Sequence, residues 1–206
     1  IDVIRLEATE DMMLMAGAGD QQVEVLRGSA PRAIRTRLPW MLPSFVGGSA
    51  ALLLLWGARQ DVARLPLLAA LIPLVMMLSG NVGTQSSAIV TRGLALGRTD
   101  FSGLGKVVLA EMLVGAGLGI AWGALLSAVS YFLVDGPSAL EPWRFASSAG
   151  LCVVLSMAIA STLGALMPMI FARLDLDPAV ATGPFVTTLV DFLAVVTCLA
   201  ILTSLI

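Results

Sequence analysis

The chain has 206 residues, of which 58% are hydrophobic and only 13% are charged, and its formal net charge is −2. Soluble domains carry roughly 25% charged residues, so this composition predicts a membrane protein. A chain without a basic excess indicates no nucleic-acid partner. The sequence contains no histidine, which excludes a histidine base, a histidine metal ligand and a Ser–His dyad.

Residues 1–28 precede the first long apolar run and form a separate unit. Thr9 is a candidate N-cap for a helix with acidic residues in its first turn, where the helix dipole favours negative charge. The apolar side of that helix consists of Met12, Met13, Met15 and Ala16. Two interpretations stay open: an amphipathic connector at the membrane surface, or a helix that docks at a cytoplasmic mouth. Because the sequence starts at Ile1 and shows no signal peptide, we expect a fragment of a longer protein.

Five mainly apolar stretches are each long enough to cross a bilayer, which takes about 20 helical residues. They cover residues 38–58, 65–91, 107–134, 145–172 and 178–206. Three of them contain no charge, the third contains only Glu111, and the fifth contains only Asp191. The predicted fold class is therefore an all-α membrane protein with five transmembrane helices, in which residues 29–206 form the transmembrane domain.

Lysine and arginine near the ends of the spans set the expected orientation, because cytoplasmic loops carry an excess of both. On the side of the N-terminus lie Arg27, Arg32, Arg35, Arg37, Arg92, Arg98, Lys106 and Arg173, and on the other side lie Arg59, Arg64 and Arg144. We therefore expect a cytoplasmic N-terminus. Since the number of spans is odd, we expect the C-terminus outside.

Asp191 is the most informative residue of the fifth span. It follows Asp177 by 14 positions. That separation is roughly 20 Å of helix at ~1.5 Å per residue, so Asp191 lies near the middle of the membrane. A charge there costs about 2.5–3.5 kcal/mol on insertion scales, and such residues usually face a bundle interior or a water-filled path. Thr187 and Thr188 lie on the same side at helical spacing. We interpret Asp191 as functional; the alternative is a protonated or hydrogen-bonded structural aspartate.

The second span contains a polar stretch, SGNVGTQSS, at residues 79–87. Gly80 exposes backbone beside Asn81, and further polar side chains follow at helical spacing. All of these groups offer oxygen, and an oxygen lining with one carboxylate suits Mg²⁺, which usually keeps several waters. The alternative for this stretch is close helix packing with interhelical hydrogen bonds. A single carboxylate supplies few ligands to a divalent cation. We therefore favour a symmetric homodimer, which would bring a second Asp191 and a second Asn81 to the same ion.

Two long stretches, PLVMMLSGNVGTQSSAIVTRGLALG and LDPAVATGPFVTTLVDFLAVVTCLAILTSL, closely resemble the MgtE family of magnesium channels and transporters. The segment ATEDMMLMAG resembles the end of that family's regulatory region and the start of its connecting helix. The resemblance implies a homodimer with five membrane helices per protomer and an ion pore between the subunits, lined by the second and fifth helices. It also implies that residues 1–28 are a connecting, or plug, helix after a missing cytosolic regulatory domain. The implied location is the bacterial inner membrane.

The same resemblance assigns roles to single residues. Asp191 matches the central pore carboxylate that holds hydrated Mg²⁺. Gly80 and Asn81 match a GGN turn whose first glycine is Ser79 in this chain, so this chain departs from the family pattern at that position by carrying a side chain.

Asp177 and Glu111 are the remaining candidate cation ligands. The resemblance places Asp177, in its DPA motif, near the cytoplasmic mouth. From the residues alone, Asp177 is equally an N-cap ahead of Pro178 at the first helical position. Glu111 either joins Asp177 or serves as a structural partner of a lysine or arginine.

The predicted function is passive, voltage-driven uptake of hydrated Mg²⁺, which is not an enzymatic activity and needs no organic cofactor. The expected partners are a second copy of the chain, membrane lipid, and the missing cytosolic domains. A cation-coupled exchanger, with Asp191 as a proton relay and Glu111 as a second station, is the alternative. An intramembrane aspartyl protease would need a second central aspartate on a neighbouring span, and the five stretches contain none.

Overall fold

The computed structural model describes residues 13–16, 30–64, 66–97, 103–134 and 141–204, apart from the side chains of Arg32, Thr36, Ala181 and Thr182. Within these ranges the regular structure is entirely helical. The helices are α1 (Ala30–Gly57), α2 (Arg59–Arg64), α3 (Pro66–Ala95), α4 (Leu104–Leu133), α5 (Pro142–Arg173), α6 (Pro178–Val180) and α7 (Val186–Thr203). One turn of π-helix, Ala181–Phe185, joins α6 to α7.

Five helical segments are long and apolar enough to cross a membrane. They are Arg37–Gly57, Pro66–Ala95, Leu104–Leu133, Pro142–Arg173 and Gly183–Thr203. Their ends differ by only a few residues from those of the five stretches expected from the sequence. The predicted all-α fold with five spans is therefore confirmed.

Proline and glycine mark several of the helix ends. Helix α3 begins at Pro66 and α5 begins at Pro142, a position where the missing N–H of proline costs no helical hydrogen bond. Beyond the end of α3, Gly97 has a φ of +61° and its N–H donates to the carbonyl oxygen of Leu94 at 2.9 Å. Glycine occupies this left-handed region without steric penalty. In the turn after α5, Asp175 has a φ of 54°, which aspartate tolerates better than most residues.

Helix α5 occupies the centre of the bundle, with α4 on one side and α3 and α7 on the other. Its contact with α4 uses Gly115, Gly119 and Gly123. A Cβ added at Gly119 would lie 2.7 Å from Cα of Val154, and one at Gly123 would lie 2.7 Å from the carbonyl oxygen of Gly150. Membrane helices associate through close packing of this kind, because lipid tails are as apolar as the side chains. The glycine stripe of α4 is therefore a packing surface, as its four-residue spacing predicts.

Helices α3 and α7 lie against the opposite side of α5. At the α3–α5 contact, a Cβ added at Gly164 would collide with the carbonyl oxygen of Gly83. A buried apolar cluster that includes Val75, Cys152 and Val195 joins α3, α5 and α7. These contacts hold α3 and α7 side by side, which is the arrangement that the candidate site requires.

Helix α1 lies at the edge of the bundle. It packs against α7 and the π-helical turn before α7. Only 6% of its apolar window is buried, against 50% for α5. Helix α1 is therefore held along one face only.

Candidate functional site

The fifth span begins with a break, and not with the continuous helix expected over residues 178–206. Within the π-helical turn, Gly183 has a φ of −80° and a ψ of −126°, which lies outside the helical region. Pro184 follows, and proline has no N–H to donate to the preceding turn. Non-helical backbone at membrane depth is tolerated where it is buried in protein or lines a cavity. Discontinuous helices of this kind often form ion sites in transporters.

Two threonines follow the break and hydrogen-bond back to it. The hydroxyl of Thr187 donates to the carbonyl oxygen of Gly183 at 3.4 Å, and that of Thr188 donates to the carbonyl oxygen of Pro184 at 2.5 Å. A hydroxyl has one proton but two acceptor lone pairs. Each threonine oxygen therefore keeps the capacity to accept a hydrogen bond from water.

Asp191 lies one turn beyond Thr187 and faces α3 at Gly80. A Cβ added at Gly80 would lie 3.2 Å from Oδ1 of Asp191 and 4.0 Å from Cγ2 of Thr187. The missing side chain at Gly80 therefore lets the carboxylate approach the backbone of α3 closely. Asp191 is half-buried. Within the described part of the chain, no hydrogen bond or ion pair engages its carboxylate.

Two neighbouring cavities, one at the break and one at Asp191, share two lining residues. A cavity of about 100 Å³ at the carboxylate is lined by Ser44, Gly47, Gly48, Ala51, Met76, Thr187, Thr188, Asp191 and Phe192. At ~30 Å³ per molecule it has room for about three waters. A cavity of about 410 Å³ at the break is lined by Met15, Ala16, Ser44, Thr84, Ala88, Gly183, Pro184 and Thr187. Ser44 and Thr187 line both cavities, so hydroxyl groups stand where the two meet.

Residues 13–16 lie at the break. A Cβ added at Gly183 would lie 2.8 Å from the carbonyl oxygen of Met15 and 3.3 Å from that of Leu14, and the side chain of Leu14 is buried. The helical turn at residues 13–15 therefore docks against the broken backbone. The docking interpretation of the N-terminal helix as a whole stays a prediction. The rest of the helix expected over residues 8–27 lies outside the described residues.

The polar stretch of α3 is split between a packed side and an exposed side. Thr84 Oγ1 lies 2.9 Å from the carbonyl oxygens of both Gly80 and Asn81. The side chain of Asn81 is exposed and lines neither cavity. It belongs to an exposed stripe at four-residue spacing, composed of Pro73, Met77, Asn81, Gln85 and Ile89. Two amide side chains thus stand on an otherwise apolar surface.

Asp177 and Glu111 line neither cavity. Oδ1 of Asp177 accepts a hydrogen bond from the N–H of Ala179 at 2.8 Å, which is the N-cap geometry that the sequence left open. Glu111 is half-buried on α4, one turn before Gly115, and α4 packs chiefly against α5. No ion pair to a lysine or arginine is formed by Glu111 within the described ranges. A cation-binding role for either residue remains a prediction.

Sequence reasoning missed the contribution of α1 to the cavity at Asp191. A signal was nevertheless present, because Ser44, Gly47, Gly48 and Ala51 are small residues at spacings of three, four and seven. That spacing places them on one face of a helix. Met76, the lining residue from α3, carried no comparable signal.

Comparison with known proteins identifies relatives over most of the chain. A family model named MgtE and described as a divalent cation transporter matches residues 72–201. The magnesium transporter MgtE of Enterococcus faecalis is 33% identical over 195 residues, which cover 95% of this chain and 41% of that protein. The proteins of the same name from Thermus thermophilus and Bacillus subtilis are each 32% identical, over 192 and 210 residues. These matches cover 93% of this chain and 41% of the Thermus protein, and 100% of this chain and 44% of the Bacillus protein. The chain thus spans about two fifths of the length of these relatives.

Proposed function

Because the chain belongs to the MgtE family of divalent cation transporters, we propose that it forms the pore of a magnesium channel. Hydrated Mg²⁺ moves through this pore into the cytoplasm, down its electrochemical gradient. The observation that carries the proposal is the setting of Asp191. Its carboxylate lies near mid-span, approaches backbone at Gly80, and borders a cavity that adjoins the break through Thr187.

The chemistry of the site suits a dication that keeps its water shell. A negative charge at this depth is costly in lipid, and a passing cation offsets that cost. Mg²⁺ dehydrates reluctantly and usually retains several waters, which donate charge-assisted hydrogen bonds to a carboxylate. No group of three acidic, cysteine or histidine side chains able to strip and hold an ion occurs in the described segments. A single carboxylate with hydroxyl neighbours is the arrangement expected for binding through water.

The exposed stripe of α3 supports a homodimer with the pore at its interface. Asn81 and Gln85 would lack hydrogen-bond partners if they faced hydrocarbon. A second subunit around a twofold axis gives them a watery path to face, and it brings a second Asp191 to the same ion. The proposed pore therefore runs between α3 and α7 of one protomer and the same helices of its partner.

The break at Gly183 is proposed to face the cytoplasm, with the C-terminus of the chain on the outer side of the bacterial inner membrane. Lysine and arginine concentrate on the break side, which supports this orientation. Docking of residues 13–16 at Gly183 supports a plug at the cytoplasmic mouth. In that position the N-terminal segment narrows the path when it is docked and widens it when it leaves.

The membrane potential supplies the driving force in this proposal. Moving one elementary charge across the membrane releases about 2.3 kcal/mol per 100 mV, so a divalent ion releases about 4.6 kcal/mol per 100 mV. This uptake needs no coupled ion. The alternative is an exchanger that relays a counter-ion from Asp191 to Glu111. Glu111 lies on α4, which packs chiefly against α5, and it does not line the cavity at Asp191. It is therefore not placed to exchange a counter-ion with Asp191.

The driving force can be tested with the purified protein in liposomes that contain a Mg²⁺-sensitive dye. A potassium diffusion potential sets the voltage, and ionophores collapse any proton or sodium gradient. We expect Mg²⁺ uptake that increases with inside-negative voltage and persists without the other gradients. Uptake that requires an opposing proton or sodium gradient would establish the exchanger, and absence of Mg²⁺ uptake from folded protein would refute both.

A further inference from the structure

We propose that α1 is a third wall of the cation path, and that Ser44 and Gly48 set the width of the path beside Asp191. The inference rests on the proposed function, because it concerns the same carboxylate. It adds a pore-lining element to α3 and α7.

The first argument is depth. Gly47 stands at the middle of the span Arg37–Gly57, and Asp191 lies close to the middle of the span Gly183–Thr203. Both residues line the cavity of about 100 Å³. Helix α1 therefore contacts α7 at the level of the Asp191 carboxylate. A pore wall at that level has the greatest effect on a passing ion.

The second argument is the division of α1 into two faces. Its small residues line the cavity at Asp191, and Ser44 also lines the cavity at the break. The adjacent side of α1 borders an apolar groove of about 590 Å³, lined on this helix by Pro39, Leu42, Pro43, Val46, Gly47 and Ala50. The four α1 residues that line the cavity at Asp191 are all small, whereas larger side chains such as Leu42 and Val46 stand on the groove side.

The third argument is the contact that sets the distance between α1 and α7. A Cβ added at Gly47 would collide with Cγ2 of Thr188, so glycine permits the closest approach of the two helices. Oγ1 of Thr188 lies 3.1 Å from Oγ of Ser44. It also bonds to the carbonyl oxygen of Pro184 at 2.5 Å. The contact therefore joins α1 to the break as well as to α7.

The fourth argument is the free space at Gly48. No heavy atom outside its own helix lies within 4 Å of a Cβ added there, although Gly48 lines the cavity with Asp191. Gly48 is exposed and borders the cavity, so a side chain at this position would stand at the cavity without meeting a packed interface. Gly48 is therefore the position on α1 where a substitution changes the path with the least disturbance of the fold.

Cysteine accessibility tests the inference in the purified protein in liposomes. Gly48→Cys is treated with a positively charged, membrane-impermeant methanethiosulfonate, which forms a mixed disulfide with the thiolate and releases sulfinate. Phe45→Cys is the matched control, because Phe45 is 73% exposed, lines neither cavity, and lies within one helical turn of Gly48. The native Cys152 and Cys198 are buried, so the parent protein provides the background. Asn81→Cys reports on the exposed stripe of α3, which the proposed function places at the pore between the two subunits.

We expect the reagent to modify Gly48→Cys, to lower its Mg²⁺ uptake severalfold, and to react more slowly when Mg²⁺ is present. Phe45→Cys and the parent should keep their uptake. If Asn81→Cys responds while Gly48→Cys is unreactive, or is modified without loss of uptake, α1 is not a wall of the path. If neither cysteine responds and Asp191→Asn transports like the parent, the proposed function itself fails, and the inference fails with it.

Discussion

Glycine serves opposite purposes at the α4–α5 contact and around Asp191. At Gly115, Gly119 and Gly123 the missing side chain is replaced by atoms of α5, which lie closer than any real Cβ would allow. At Gly48 the missing side chain leaves open space, and at Gly80 it leaves room for a carboxylate oxygen. The first region is closely packed throughout, whereas the second combines one close contact, at Gly47, with the cavity at Asp191. The number of glycines in a helix therefore does not show whether the helix packs closely or lines a cavity. The atoms that lie opposite each glycine show it.

The largest effect, a loss of stability, is expected when a side chain is added at a packed glycine of α4. Gly119→Leu forces a side chain into the backbone of Val154, with Cα at 2.7 Å and the carbonyl oxygen at 3.1 Å from the new Cβ. Overpacking costs about 1–3 kcal/mol and more where backbone must move. We therefore expect a marked loss of thermal stability and of folded yield in detergent. Gly117→Leu, on the same helix with nothing within 4 Å of the new Cβ, is the control and should fold normally. Equal stability of the two variants would show that the α4–α5 contact is not as close as described.

At Gly80 we expect a substitution to reduce Mg²⁺ uptake without reducing stability. In Gly80→Ala the new Cβ would lie 3.2 Å from Oδ1 of Asp191, so the carboxylate must shift by a few tenths of an ångström. Alanine is favoured over glycine in a helix by about 0.8–1.0 kcal/mol, so stability should be equal or higher. Displacing a positioned group is costly for function, and we expect uptake to fall about three- to tenfold. Thermal melting and liposome uptake are measured on the same preparation, with Gly117→Ala as the control. Parental uptake by Gly80→Ala would mean that the contact with Asp191 does not matter for transport.

The smallest effect is expected at Glu111. Its helix packs chiefly against α5, and its carboxylate lines neither cavity. Glu111→Gln removes the charge with little change of shape. Uptake should stay within about twofold of the parent, because groups without shared partners act independently. A loss of uptake as large as that caused by Asp191→Asn would place Glu111 in the path and would support the exchanger alternative.

The number, length and order of the membrane spans could be predicted from the sequence, because about 20 apolar residues leave a helix few alternatives in a bilayer. The proximity of α3 and α7 at Gly80 and Asp191 was also indicated, since both spans carry polar groups that are costly in lipid. The helices themselves are apolar on nearly every side, so hydrophobic periodicity does not reveal which face packs inward.

The remaining features depend on contacts between distant parts of the chain. The break at Gly183 follows from a Gly–Pro pair, yet the same chain keeps Pro73 and Pro168 inside continuous helices. A proline alone therefore does not predict whether a membrane helix breaks or bends. The role of α1 depends on the position of Ser44 opposite Thr188, which are separated by 144 residues along the chain. Local sequence carries the spacing of the small residues of α1 but not the identity of the helix that they face.

Substitution of Asp191 by asparagine tests the central claim most directly. The amide has nearly the same shape and removes only the charge, so the melting temperature should change little. The initial rate of Mg²⁺ uptake, measured at equal protein per liposome, should fall at least about tenfold, which corresponds to about 1.4 kcal/mol of lost stabilisation of the ion. Parental uptake by the folded Asp191→Asn protein would contradict the account, because Mg²⁺ would then cross without the carboxylate.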